Sequence, residues 1–263
     1  MNIIVCVKQV PNLTNVQIDQ ETGRLKRDGV ESIINSFDEH ALEEGIRIKE
    51  KIGGKVIVVT MGPKQAEIIL RDALAKGADE AFLISDKIFI GSDTLATSYV
   101  LSSAIKFIGD YDIIICGKQA SDGDTAQVGP GISEMLNIPH ISYVKKIEFS
   151  NDKLSIIAER IMENGYDLIK SYLPVLMTVV KEINIPRISS LRGRIFANKA
   201  IIKTLDAESM HIDIKKAGTN GSPTRVIKTF AVPQKRRGEK ISGNAKEISA
   251  ILVKKLFNLG VIQ

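Results

Sequence analysis

Residues 56–84, VIVVTMGPKQAEIILRDALAKGADEAFLI, decide the fold. The β-branched run at 56–60 is the kind that fills a strand buried on both faces. Pro63 then opens a helix in which Ala66, Ile69, Leu70, Ala73 and Leu74 recur at helical spacing. Gly77 closes it in the left-handed position after the last turn, and residues 81–84 start a second apolar run. A strand, a crossover helix and a strand of this length make one parallel βαβ unit. The alternation extends both ways, with further buried runs at 3–7 (IIVCV) and 113–116 (IIIC). A helix is predicted over 36–52, burying Phe37, Ala41, Ile46 and Ile52 and leaving Glu43, Glu44, Arg47 and Glu50 in water. Ser36 and Glu39 have capping-box spacing at its start. The expected fold is α/β, a doubly wound, mostly parallel sheet.

Beyond Pro139 the texture changes. Runs at 141–149, 154–159 and 174–180, with turn signals at Ser150-Asn151-Asp152 and Asn164-Gly165, predict an antiparallel or mixed extension of the sheet. From 185 onward Pro and Gly break the pattern, and residues 184–241 read as an irregular arm with one short helix, followed by a terminal helix over 245–258. The expected division is a nucleotide-binding domain over 1–183 and a docking loop, arm and helix over 184–263.

Composition serves mainly to exclude. In 263 residues, 44% hydrophobic and 25% charged fractions rule out a disordered or fibrous chain. A net charge of +5, concentrated only at Lys235, Arg236 and Arg237, with 5% aromatics, argues against nucleic-acid binding. No apolar run is long enough to span a bilayer, and Lys8 interrupts the short N-terminal one, so a cytoplasmic protein without membrane insertion is expected. Cys6 and Cys116 sit in apolar runs without metal-ligand spacing and read as buried thiols of a reducing compartment. His40, His140 and His211 are scattered; no metal site is expected, and His40 reads as a surface residue.

Ligands of open parallel sheets bind beyond the carboxyl ends of the strands. The segment after IIIC is GKQASDGDTAQVGPG, residues 117–131, rich in small and hydroxylic residues ahead of a helix. Its backbone N–H groups can converge on an anion, although it matches neither common phosphate-loop motif, and a tight turn that merely needs glycines has the same composition. TMGP (60–63) and GSDT (91–94) are smaller versions, and N-capping by Ser92 or Asp93 explains part of the second. With no catalytic constellation of side chains, the residues point to a nucleotide-binding protein whose cofactor does the chemistry.

VCVKQVP (5–11), GRLKRDGVESIIN (23–35), DEHALEEGIRIKE (38–50), VVTMGP (58–63), ALAKGADEAFLISD (73–86), GKQASDGDTAQVGP (117–130), NIPRISSLRGRI (184–195) and GSPT (221–224) together resemble the β subunit of electron-transfer flavoproteins over nearly the whole chain. The resemblance implies a Rossmann-like, adenine-nucleotide-binding domain with an arm that embraces an α subunit carrying its own FAD. Simple members hold AMP here. Electron-bifurcating members hold a second FAD that takes hydride from NADH and divides the electrons between ferredoxin or flavodoxin and, through the α-subunit FAD, a flavin-dependent dehydrogenase of the acyl-CoA or lactate (2-hydroxyacid) type. GDTAQVGP (123–130) and GSDTLATS (91–98) are similar to the bifurcating form.

Carried over by position, the nucleotide pocket would comprise Cys6, Lys8, Asn35, Ser36, Phe37, Asp38 and Met61. To these the resemblance adds the loop residues Gly117, Lys118, Gln119, Ala120, Ser121, Asp122, Gly123, Asp124, Thr125, Ala126, Gln127 and Val128. Asp93, Thr94 and Thr97 would lie toward the flavin end, and Ser36 stands where the family commonly has proline. Leu191 matches a partner-docking leucine, with Arg187, Arg192 and Arg194 around it. A free-standing ATP-binding module of the same broad fold is the reading from another class, and the long segment after 184 counts against it.

Overall fold

A computed structural model of the protein describes residues 1–12, 32–225, 227 and 238–262. The basic cluster Lys235 to Arg237 and most of the 23–35 motif lie outside the described residues. Strands β1 (Asn2–Cys6), β4 (Lys55–Met61), β5 (Glu80–Ile84), β6 (Ile113–Gly117) and β10 (Val175–Val179) form the centre of a nine-stranded sheet. The edges are β11 (Lys203–Leu205) on one side and β7 (His140–Phe149), β8 (Ser155–Met162) and β9 (Gly165–Tyr172) on the other, in the order β11-β5-β4-β1-β6-β10-β7-β8-β9. Every pair from β11 to β7 is parallel, and β7-β8-β9 is antiparallel. The Rossmann-like α/β fold is therefore as expected.

Alternation along each central strand feeds two cores. Ile3 and Val5 face helices α1 (Ser36–Ile52), α2 (Glu67–Lys76) and α5 (Leu191–Lys199), while Ile4 and Cys6 face α3 (Thr94–Ile108) and α4 (Val128–Leu136). Because both faces are covered, all five residues of β6 and of β10 are buried. The extension is of the mixed kind expected: 174–180 does not continue the antiparallel hairpins but returns as a parallel strand between β6 and β7. The Asn164-Gly165 turn leads instead into β9, an edge strand whose mostly exposed, polar alternation hid it from a search for apolar runs.

The α1 bounds match the predicted helix, but its start differs. Asn35 is the N-cap and its side chain makes no capping bond. Ser36 and Glu39 form no capping box, and Glu39 pairs with Lys76 of α2 at 2.8 Å. Glu43, predicted to face water, is 4% exposed. Pro63 caps a short 3-10 turn, Lys64–Ala66, ahead of α2, and Gly77 ends α2 at φ 129°. Two short strands carried no sequence signal: β2 (Gln9–Pro11) and β3 (Ser32–Ile34), which pair antiparallel.

The chain divides into two compact units, Met1–Ile227 and Lys228–Gln263. Residues 184–222 belong to the first and supply part of its core through Ala197, Leu205, Ala207, Met210, Ile212 and Ala217. The second unit contains α6 (Ala245–Asn258), with the predicted bounds and a capping box between Asn244 and Glu247. Among the described residues, no helix is long and apolar enough to cross a membrane.

Candidate functional site

The carboxyl ends of β1 and β6 meet the N-terminus of α1 and the loop 117–128, which brings Lys8, Asn35, Asp38, Gly117, Gln119, Ser121 and Asp122 together. Two buried side chains at the start of α1 organise this junction. Asn35, fully buried, donates through Nδ2 to Gln119 O (2.8 Å) and accepts at Oδ1 from Ser121 N–H (3.2 Å). Its amide is thus diverted from capping its own helix to holding the loop after β6. Asp38 accepts from Lys8 N–H at Oδ2 (2.8 Å) and from Gly117 N–H at Oδ1 (3.1 Å), tying the ends of β1 and β6 to α1. Burial pushes its carboxyl up to about 7, against the opposing effect of those N–H donors and of Lys8.

Lys8 Nζ reaches Asp122 at 2.7 Å, joining the strand end to the loop tip. Gln119 bonds to Asp124, and Asp124 N–H closes a turn on Ala120 O (2.8 Å). Asp124 and Ala126 adopt positive φ, 54° and 55°, the left-handed backbone that can turn neighbouring N–H groups toward one concave side. Residues 121–125 are exposed, and Gln127 starts α4 without a side-chain cap, leaving the Val128 and Gly129 N–H groups uncapped by it. Glycines bring α4 close to its neighbours. A Cβ on Gly129 would lie 2.5 Å from Thr178 Cγ2, and one on Gly131 2.5 Å from Ser98 Oγ. An exposed loop leading into a helix start without a side-chain cap fits a phosphate-bearing ligand. Among the described residues, no group of three or more potential ligands could hold a metal ion.

Cys6 and Cys116 are register partners on adjacent strands, both buried and facing the α3/α4 core. A hydrogen bond to Cys6, together with burial, holds the Cys116 thiol well above the usual range, so it is no nucleophile. Met61 ends β4, and Ser36 and Phe37 open α1.

Asp93 is committed within the protein. It caps α3 by accepting from Leu95 N–H (3.0 Å) and Ala96 N–H (3.1 Å), and it accepts from Thr224 N–H (3.1 Å) and Oγ1 (2.8 Å). Although burial opposes it, these donors keep its carboxyl below the usual carboxylate range. Ser222 Oγ accepts from Asp93 N–H at 2.8 Å, so the GSPT segment fastens this helix start. Thr94 and Thr97 stand on the first turn of α3, half-exposed.

Three features escaped sequence reasoning. Ser98 Oγ donates to Thr94 O (2.7 Å) and lies 3.3 Å from Val128 O, linking α3 to the start of α4. A cavity of about 570 Å³ beside Phe37 is lined by Lys118, Tyr143, Arg160 and Lys181, residues from four separate segments with no linear signal. His40, expected at the surface, is half-buried and bonds through Nδ1 to Asn184 O (3.0 Å), with a carbonyl-rich partner only the fold could supply.

The expected docking residues separate into two kinds. Arg187 turns inward, with Nε 2.8 Å from Glu43 and Nη1 2.6 Å from Glu50 on α1. Leu191 is 78% exposed at the start of α5, so it is not a core residue. Arg192 and Arg194 share that turn, and Arg194 Nε donates to Ser189 Oγ (3.0 Å).

A family model described as the electron transfer flavoprotein domain matches residues 22–210. The chain belongs to the electron transfer flavoprotein family. It is 51% identical over 263 residues, covering all of both chains, to a protein named electron transfer flavoprotein subunit beta in Thermoanaerobacterium thermosaccharolyticum. It is 46% identical over 256 residues to a protein of the same name in Clostridium acetobutylicum, covering 97% of this chain and 98% of that one. It is also 45% identical over 258 residues to the caffeyl-CoA reductase-Etf complex subunit CarD of Acetobacterium woodii, again covering 97% and 98%. Within the family these likenesses place the chain with the β subunits, and electron transfer is its role.

Proposed function

We propose that this β subunit is of the electron-bifurcating type and holds FAD on the loop 117–128. The observation that carries the reading is the exposed loop 121–125 ahead of α4, its base held from beneath by Asn35 and Asp38. Small residues at Gly123, Thr125 and Ala126 leave room for a ligand longer than a mononucleotide. When bound, the flavin supplies hydride acceptance from NADH and the division of electrons between ferredoxin or flavodoxin and, through an α-subunit FAD, a partner dehydrogenase of the acyl-CoA or lactate type.

The protein's own residues bind and orient. The uncapped start of α4 and the left-handed turns at Asp124 and Ala126 direct N–H groups at the diphosphate. Lys8 neutralises charge at the loop tip, where it already meets Asp122. Thr94 and Thr97 offer hydroxyls toward the ribityl chain. Leu191, with Arg192 and Arg194, would dock the dehydrogenase, and the complex would work in the cytoplasm.

One observation favours the alternative of AMP as a structural ligand. Asp93, expected at the flavin end, has its oxygens occupied by Thr224 and the α3 backbone. Flavin analysis of the purified αβ complex separates the two. Two FAD per heterodimer with reduction by NADH supports bifurcation; one FAD with one AMP and no response to NADH sinks it.

A further inference from the structure

Asp38 occupies the third position of α1 and is 6% exposed. Each carboxylate oxygen accepts a backbone N–H from a different strand end, Lys8 past β1 and Gly117 closing β6. The fit is tight, because a Cβ on Gly117 would lie 2.2 Å from Asp38 Oδ1. The Asn35 amide, which holds Gln119 and Ser121, also bonds to this carboxylate. One buried carboxylate therefore sits at the junction of β1, β6, α1 and the loop 117–128, with neither oxygen turned outward.

We propose that Asp38 is a positioning residue for the nucleotide loop that works as a latch released by a proton, gripping both strand ends when ionised and letting one go when neutral. The inference rests on the reading of residues 117–128 as the nucleotide site. A carboxylate accepts at both oxygens, whereas a carboxylic acid turns one of them into a donor that faces another donor. Few groups face it: the Lys8 ammonium past β1, shared with Asp122, the Asn35 amide at the start of α1, and the Cys116 thiol on β6. On its own helix, Glu39 is drawn off by Lys76, and His40 by Asn184. Burial brings the Asp38 transition up to about 7, within the physiological range.

The sign separates a latch from unfolding. The carboxyl titrates higher in the folded chain than unfolded, so its contribution to global stability is full below the unfolded value and is lost as pH rises through about 7. Acidification from about pH 8.5 to about pH 5.5 should thus raise this contribution while loosening the nucleotide loop. The test follows release of bound adenine nucleotide from the isolated complex, by chromatography of ultrafiltrates across that range, with the melting temperature of the same samples. Release should be roughly tenfold faster at the acid end, the loss of about one charge-assisted hydrogen bond, with a midpoint near 7 and no fall in melting temperature. Asp38→Asn should release fast at every pH, and Asp38→Glu should restore a pH-dependent profile. If Asp38→Asn does not fold, the profile of the natural protein decides alone. A bound nucleotide released equally at all pH values overturns the latch. A complex carrying no adenine nucleotide overturns the nucleotide reading beneath it.

Discussion

The loop 117–128 and the segment 184–199 both stand on α1, and they are held in opposite ways. The loop is fixed by two buried side chains, Asn35 and Asp38, that bond its backbone over short reach. The segment is clamped by ion pairs from Arg187 to Glu43 and Glu50, and by α5 lying on α2, where Arg71 Nη1 donates to Ala197 O at 2.7 Å. What each leaves free differs accordingly. Side chains that bond backbone from beneath leave the loop's outer N–H groups displayed to a polar ligand. Charges that grip the base of the segment leave Ile188 and Leu191 displayed, at 88% and 78% exposure, suited to a protein surface. Mutations on the two sides should therefore fail differently.

The largest effect is expected from Gly117→Ala. The added Cβ would meet Asp38 Oδ1 at 2.2 Å and the Phe37 backbone carbon at 2.7 Å, with no flexible tip to yield. A loss of ~3 kcal/mol or more in stability, with nucleotide lost on purification, should appear in denaturant titration and cofactor assay. Arg187→Ala comes next, because it strips the 4%-exposed Glu43 of its strongest partner and should cost ~2 kcal/mol. Although burial opposes ionisation of Glu43, the Arg187 and Arg47 bonds win and lower its carboxyl. That stability is present above the unfolded value and is lost as pH falls through the folded one, so the variant should also show a flatter acid limb in thermal melts. Nucleotide content should survive.

Asn35→Ala reverses that pattern. Its two loop partners lie near solvent and can turn to water, so a stability loss of ~1–2 kcal/mol is expected. Nucleotide affinity should fall by roughly tenfold, since the loop loses its lateral tie. Denaturant titration measures the first and isothermal titration with the released nucleotide the second; an unchanged affinity would mean that Asn35 serves the fold alone.

How much of this could be read from the chain follows the same division. The parallel core was legible because strands buried on both faces must be continuous apolar runs, as at 113–116, and because Gly77 and the α1 pattern mark helix ends locally. The loop was legible as composition, small residues ahead of a helix. Its mechanism was not, since Asn35 and Asp38 act on residues some eighty positions away and look in sequence like ordinary helix-start polar residues. Glu43 and Arg187 misled for a related reason. A helical wheel assigns a charged residue to water, and only the return of a segment 144 positions later brings the countercharge that permits burial. β9 and β11 were missed because edge strands need not be apolar.

The smallest structural effect belongs to Leu191→Ala, and it sharpens the contrast most. The side chain is 78% exposed on the first turn of a helix whose N-cap, Ser190, and buried contact, Ala197, remain intact. Stability should therefore change by less than ~0.5 kcal/mol, and nucleotide content should not change at all. Electron transfer to the partner dehydrogenase should fall by about tenfold or more, as for an apolar side chain that fills a partner pocket. Kinetics with saturating and limiting dehydrogenase would locate the loss in apparent affinity for the partner. A variant that melts earlier but transfers normally would assign Leu191 to the fold, and the exposed face around it would lose its claim to docking.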